Sequence, residues 1–131
     1  MKKVKAFLLL AAAITLLTSF NAFANMSGDF MKLEDENGIM YWVYIDSGEY
    51  AKERWIQTPD DRWFYAGSDT KLYQNKWLNN KNGKWYYFGN DCSMQHNVTT
   101  PDGYQVGSDG AWIRDGQVVV ENVNENVETN K

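Results

Sequence analysis

The sequence predicts an all-β chain, a solenoid of stacked β-hairpins, preceded by a cleavable signal peptide. Three observations carry this. First, a pair of tryptophans eight positions apart is written twice, as Trp55 with Trp63 and Trp77 with Trp85, the second copy 22 residues after the first. A period in the twenties marks small supersecondary units that stack on one another instead of sharing one globular core. Second, strong turn signals lie between the two tryptophans of each copy: Pro59-Asp60 and Asn82-Gly83. Third, Leu, Ile and Val are sparse beyond the first 24 residues, whereas all six Trp and all eight Tyr lie there. The expected core is therefore aromatic.

The N-terminal segment reads Met1-Lys2-Lys3-Val4-Lys5, then an apolar run from Ala6 to Leu17, then Ala22-Phe23-Ala24. A basic start, a short apolar stretch and an Ala-x-Ala exit make a secretory signal over 1–24. The apolar run is shorter than the ~20 residues a spanning helix needs, and no later stretch reads as a membrane span. The mature part is expected to be one domain over 25–113 with a polar, flexible tail over 114–131.

Within that domain the first unit is degenerate, as terminal repeats usually are. Trp42-Val43-Tyr44-Ile45 aligns with the later aromatic runs, but its upstream partner Phe30-Met31-Lys32-Leu33 has no Trp. The next two units are the clear ones. Arg54-Trp55-Ile56-Gln57 and Lys76-Trp77-Leu78-Asn79 are first strands; Trp63-Phe64-Tyr65-Ala66 and Trp85-Tyr86-Tyr87-Phe88 are second strands. Alternation on the last of these puts Trp85 and Tyr87 on one face and Tyr86 and Phe88 on the other. A loop carrying Asp69 or Asp91 follows each, ending in Leu72 or Met94. A closing hairpin is expected from Tyr104-Gln105-Val106 and Ala111-Trp112-Ile113 around a Gly-Ser-Asp-Gly turn.

Composition excludes several functions. Loss of the three lysines of the signal takes the net charge from −4 to −7, which argues against nucleic acid and suits cationic ligands. One cysteine, Cys92, permits no internal disulfide. His96 and Cys92 are too few for a metal centre, and the loop around them lacks support for a Cys–His nucleophile. Asp60-Asp61 and Glu34-Asp35-Glu36 read as solvated turn charges. There is no phosphate loop and no serine elbow. No cofactor and no catalytic residue is expected, so the chain is read as a non-enzyme.

The spacing with Trp77-Leu78-Asn79-Asn80-Lys81-Asn82-Gly83-Lys84-Trp85-Tyr86-Tyr87-Phe88 resembles the choline-binding or cell-wall-binding repeat of Gram-positive surface proteins. The glucan-binding repeats are similar. The resemblance runs from about Phe30 to Ile113 and includes the closing Thr100-Pro101-Asp102-Gly103-Tyr104 and Asp109-Gly110-Ala111-Trp112. It departs where Arg54 and Lys76 precede the first Trp, and where Asp69-Thr70 and Asp91-Cys92 stand for Asp-Gly. The family implies cages of about three aromatic rings between consecutive hairpins, each holding a choline. One cage would use Trp55 and Trp63 with Trp85 or Tyr87. A second would use Trp77 and Trp85 with Tyr104 or Trp112, and Met94 would line a wall. Phe64, Tyr86 and Phe88 are expected in the core. The implied protein is secreted and wall-associated, with choline-bearing teichoic acid as partner. The alternatives are a glucan or another wall polysaccharide on the same rings, or a protein-interaction module whose rings are scaffold.

Overall fold

The computed structural model describes residues 28–121. The expected signal peptide and the end of the expected tail, 122–131, lie outside the described residues. The described chain is all-β. Its strands are β1 Asp29–Glu34, β2 Met40–Asp46, β3 Glu49–Tyr50, β4 Arg54–Gln57, β5 Trp63–Ala66, β6 Lys76–Asn79, β7 Trp85–Phe88, β8 Val98–Thr99, β9 Gln105–Val106, β10 Trp112–Arg114 and β11 Gln117–Val118. β4 to β7 have the bounds expected from the tryptophan pattern. β4 pairs with β5 and β6 with β7 in two-stranded sheets, β1-β2-β3 form a third sheet, and a fourth runs β11-β10-β9-β8.

One backbone device recurs at the hairpin turns. The N–H of Asp35, Thr58, Asn80 and Thr100 each donates to the carbonyl of the residue four further on, at 2.7–2.9 Å. In each, residue i+3 returns a bond to residue i and adopts the left-handed conformation: Gly38, Asp61, Gly83 and Gly103. A three-residue turn closed by an αL residue suits the right-handed twist of a hairpin. The loops between hairpins use the same pattern from Gly67, Gly89 and Gly107, with Thr70, Cys92 and Gly110 left-handed. Asp69, Asp91 and Asp109 brace these loops by accepting the N–H of Lys71, Ser93 and Ala111 at 3.0–3.1 Å. The loop aspartates expected at 69 and 91 are thus turn braces.

The described chain divides into two compact units, one running to Trp55 and including Tyr65–Leu72, the other comprising Ile56–Phe64 and Tyr73 onward. In the first, β1 and β2 pair antiparallel from Asp29↔Ile45 to Glu34↔Met40. β3 was not legible in the sequence. It exists because Ser47 and Gly48 both take positive φ, 55° and 81°, and close a two-residue turn between Asp46 and Glu49. Val43, Ile45, Ala51, Ala66 and Leu72 are its buried core, and Leu72 N–H donates to the Trp42 carbonyl at 2.8 Å.

In the second unit, β6 and β7 pair with Trp77 opposite Tyr87 and Asn79 opposite Trp85. Met94 N–H donates to the Trp63 carbonyl at 2.7 Å, and Ala111 bridges Tyr86. Each loop after an aromatic strand therefore lands on an aromatic strand of an earlier hairpin within its own unit. Ile56, Phe64, Leu78, Tyr87, Phe88, Cys92, Val106 and Ala111 are buried.

The core departs from the aromatic one expected. All six tryptophans are only half-buried, and most of the fully enclosed side chains are aliphatic or small. Strand alternation explains the division: each strand turns Ile56, Phe64 or Leu78 inward and its tryptophan to the opposite face. Phe64 and Phe88 are core as expected, while Tyr86 stays half-buried.

The closing element is larger than a hairpin. β8 and β11 join it, and Asp115-Gly116, with φ of 52° and 77°, turns β10 into β11. Residues 114–121, expected as the start of a loose tail, are instead hydrogen-bonded. Val119 N–H donates to the Trp112 carbonyl at 3.0 Å and Glu121 N–H to the Gly83 carbonyl at 2.7 Å. Val120 bridges Lys84. These ties are backbone bonds, so a polar composition gave no sign of them.

Candidate functional site

The strand alternation that keeps tryptophans out of the core leaves their faces available. In the second unit, four rings gather around one cavity of about 320 Å³, lined by Trp77, Trp85, Asp102, Tyr104, Trp112 and Glu121. Trp77 and Trp85 come from β6 and β7, Trp112 from β10, and Tyr104 from the turn before β9. Trp77 and Tyr104 meet edge to face at 5.7 Å and 87°, and Tyr104 and Trp112 at 5.4 Å and 86°. Perpendicular rings present electron-rich faces to a common space, the arrangement that attracts a cation too large for a hydrogen-bonded pocket. Tyr104 is 45% exposed, so the cavity opens to solvent.

Two carboxylates border the same space. Asp102 sits in the turn that Thr100 closes, and its Oδ2 accepts the Trp77 indole N–H at 2.9 Å. Its Oδ1 accepts the Thr100 hydroxyl at 2.5 Å. The Thr100 and Trp77 hydrogen bonds hold the Asp102 carboxyl below the usual carboxylate range. Glu121 reaches the cavity because its backbone is pinned to Gly83 and its carbonyl accepts the Asn79 side-chain N–H at 2.9 Å. The Arg114 guanidinium lies 4.8 Å from the Trp112 ring centroid.

The residues expected as ligand contacts distribute as follows. Trp77, Trp85, Tyr104 and Trp112 come together around this cavity. Tyr87 packs on Trp77 at 5.2 Å and is itself buried, 7% exposed, so it backs the site from behind. Met94 lies elsewhere, lining a smaller cavity of about 180 Å³ with Trp63, Arg62 and His96. A Cβ placed on Gly110 would stand 2.5–3.1 Å from Met94 side-chain atoms, so the thioether packs against that glycine. Trp55 falls in the first unit, edge to face with Tyr65 at 5.5 Å, and Trp63 falls in the second.

The two cations preceding the first tryptophans have partners of their own. Arg54 pairs with Asp46 at 3.0 Å, and Lys76 Nζ lies 3.9 Å from the Tyr73 ring centroid. Asp102 and Glu121 were not picked out from the sequence. Asp102 stood in plain view in the Thr100–Tyr104 turn, and its signal was a short acid beside an aromatic. Glu121 carried none. Among the described residues no group of three or more His, Cys, Asp or Glu is placed to hold a metal. Burial and the adjacent Asp91 push the Cys92 thiol up to about 11, which leaves it neutral and unreactive.

With this geometry in place, comparison with known proteins gives a family likeness for part of the chain. Residues 71–112 match the choline-binding repeat. Residues 71–112 thus carry the choline-binding-repeat pattern. No curated protein matches it. Among solved structures, the choline-binding domain of Spr1274 from Streptococcus pneumoniae aligns with a TM-score of 0.52 and 27% identity, over 70% of this chain and 99% of that one. The Cpl-1 endolysin of phage Cp-1, solved with choline, aligns with a TM-score of 0.51 and 19% identity, over 68% of this chain and 26% of that one. An alternansucrase solved with isomaltotriose aligns with a TM-score of 0.51 and 19% identity, over 63% of this chain and 8% of that one. This chain thus spans about a quarter of the endolysin's length. The last two likenesses establish the hairpin-repeat fold alone. Among the described residues no helix is long and apolar enough to cross a membrane.

Proposed function

We propose that this protein is a secreted, non-catalytic wall-attachment module that holds choline of teichoic acid in the cavity formed by Trp77, Trp85, Tyr104 and Trp112. The observation that carries the reading is the convergence of four half-exposed rings with Asp102 on one open cavity. A quaternary ammonium donates no hydrogen bond, so ring faces and dispersion must hold it, at roughly 0.5–2 kcal/mol per ring. Three or four rings place a single cage near millimolar affinity, about −4.1 kcal/mol. Attachment would then rest on several cages engaging a polymer that carries many cholines. Trp55, Trp63 and Met94 remain candidates for such further contacts.

The same rings suit the faces of a sugar, and one fold relative was solved with isomaltotriose. The two carboxylates in the cavity favour the cation, since a neutral sugar gains no charge–charge attraction from them. A titration read by tryptophan fluorescence tests the choice. Choline is expected to saturate the signal in the millimolar range and isomaltotriose to leave it unchanged. Saturation by the sugar alone would reverse the assignment. Silence to both, with partner capture that survives Trp55→Ala and Trp77→Ala, would make the rings scaffold for a protein-interaction module.

A further inference from the structure

Glu121 lies beyond the segment that matches the choline-binding repeat, 71–112, yet it lines the same cavity as the four rings. Its position is built, not incidental. Three successive residues are tied down: Val119 to Trp112, Val120 to Lys84, and Glu121 to both Gly83 and Asn79. All of these ties use the backbone of 119–121, so the Glu121 side chain is spared from holding the strap in place. Its carboxylate has no hydrogen-bond or ion-pair partner among the described residues. Asp102 differs, because both of its oxygens are already engaged by Trp77 and Thr100. Arg114 is placed at the Trp112 ring, 4.8 Å from its centroid.

We infer that Glu121 is a specificity-determining residue of this cavity, its carboxylate selecting ammonium cations over uncharged molecules of the same shape. The inference rests on the cage reading above and deepens it. The rings alone recognise a trimethylated head partly by shape and dispersion, which an isosteric carbon compound also satisfies. A fixed carboxylate adds a term that only the cation feels. Glu121 is thus the charged wall of the cage, and the work of Asp102 is to position Trp77.

The test compares choline with its uncharged isostere 3,3-dimethylbutan-1-ol, in wild type and Glu121→Gln, by tryptophan fluorescence. Wild type is expected to prefer choline. Glu121→Gln should weaken choline about two- to fivefold, the range of a solvent-exposed charge pair, and leave the uncharged isostere unchanged. Glu121→Lys should weaken choline further with the isostere still unaffected, and thermal melts should show both variants folded. Equal weakening of both ligands would make Glu121 a packing wall and overturn the inference. So would an unchanged preference in Glu121→Gln while choline still binds. Failure of wild type to bind choline at all overturns the cage reading itself, and the inference with it.

Discussion

The Trp77 indole N–H donates to Asp102 Oδ2 at 2.9 Å, across 25 residues of sequence. That bond fixes the ring plane of a cavity-lining residue and favours the charged carboxylate. Because hydrogen bonds from Thr100 and then Trp77 depress the folded-state value, the stability Asp102 contributes is complete above the unfolded carboxylate value. It is lost as pH falls through the folded one. Choline affinity and melting temperature should therefore stay level from neutral pH to about 5 and drop below about 4. Asp102→Asn should shrink that acid step and lower stability by about 1 kcal/mol at neutral pH. A pH series of melts and titrations reads both.

Trp77 and Trp85 line the same cavity, but their N–H groups differ. The Trp85 indole N–H is buried without a hydrogen-bond partner among the described residues. Trp85→Phe should accordingly be milder than Trp77→Phe, which leaves Asp102 Oδ2 without its donor while Thr100 still holds Oδ1. Replacing either by alanine removes a ring from both the cavity lining and the packing. Each should weaken choline about 2- to 30-fold and cost about 2–4 kcal/mol of stability. Chemical denaturation with parallel choline titration checks the ordering. Unchanged choline binding in Trp77→Ala and Trp85→Ala would remove this cavity as the site.

The inter-hairpin loops repeat one αL position, filled by Thr70, Cys92 and Gly110 with φ of 71°, 66° and 83°. A β-branched residue there is strained by about 1–2 kcal/mol. Thr70→Gly should raise stability by up to about 1 kcal/mol after the entropy of glycine is subtracted. The reverse change at Gly110 is doubly unfavourable, since the backbone is left-handed and a methyl group would collide with Met94. Gly110→Ala should cost about 1–3 kcal/mol. Denaturant midpoints of the two variants should move in opposite directions.

Cys92 is 2% exposed, and its thiol is pushed up to about 11 by burial first and by Asp91 second. It should resist a thiol reagent at pH 8 in the native protein and react at once in denaturant. Rapid native labelling would show that the loop opens readily.

The sequence by itself determined the repeat and the four central strands, because these rest on local features. Strand alternation, turn residues and a 22-residue period are properties of short segments, whereas grouping Trp77 and Trp85 with Tyr104 or Trp112 came only from the resemblance to choline-binding repeats. Only the tertiary structure decided which rings face the core and which face solvent. It also decided that Met94 serves Gly110 and Trp63, that Asp102 orients Trp77, and that residues 114–121 return to the β6–β7 hairpin. Those outcomes depend on backbone hydrogen bonds and side-chain directions between distant segments, and such bonds leave no trace in composition. A polar stretch ending in Glu121 looks the same whether it trails in water or is pinned by its amides beside an aromatic cavity.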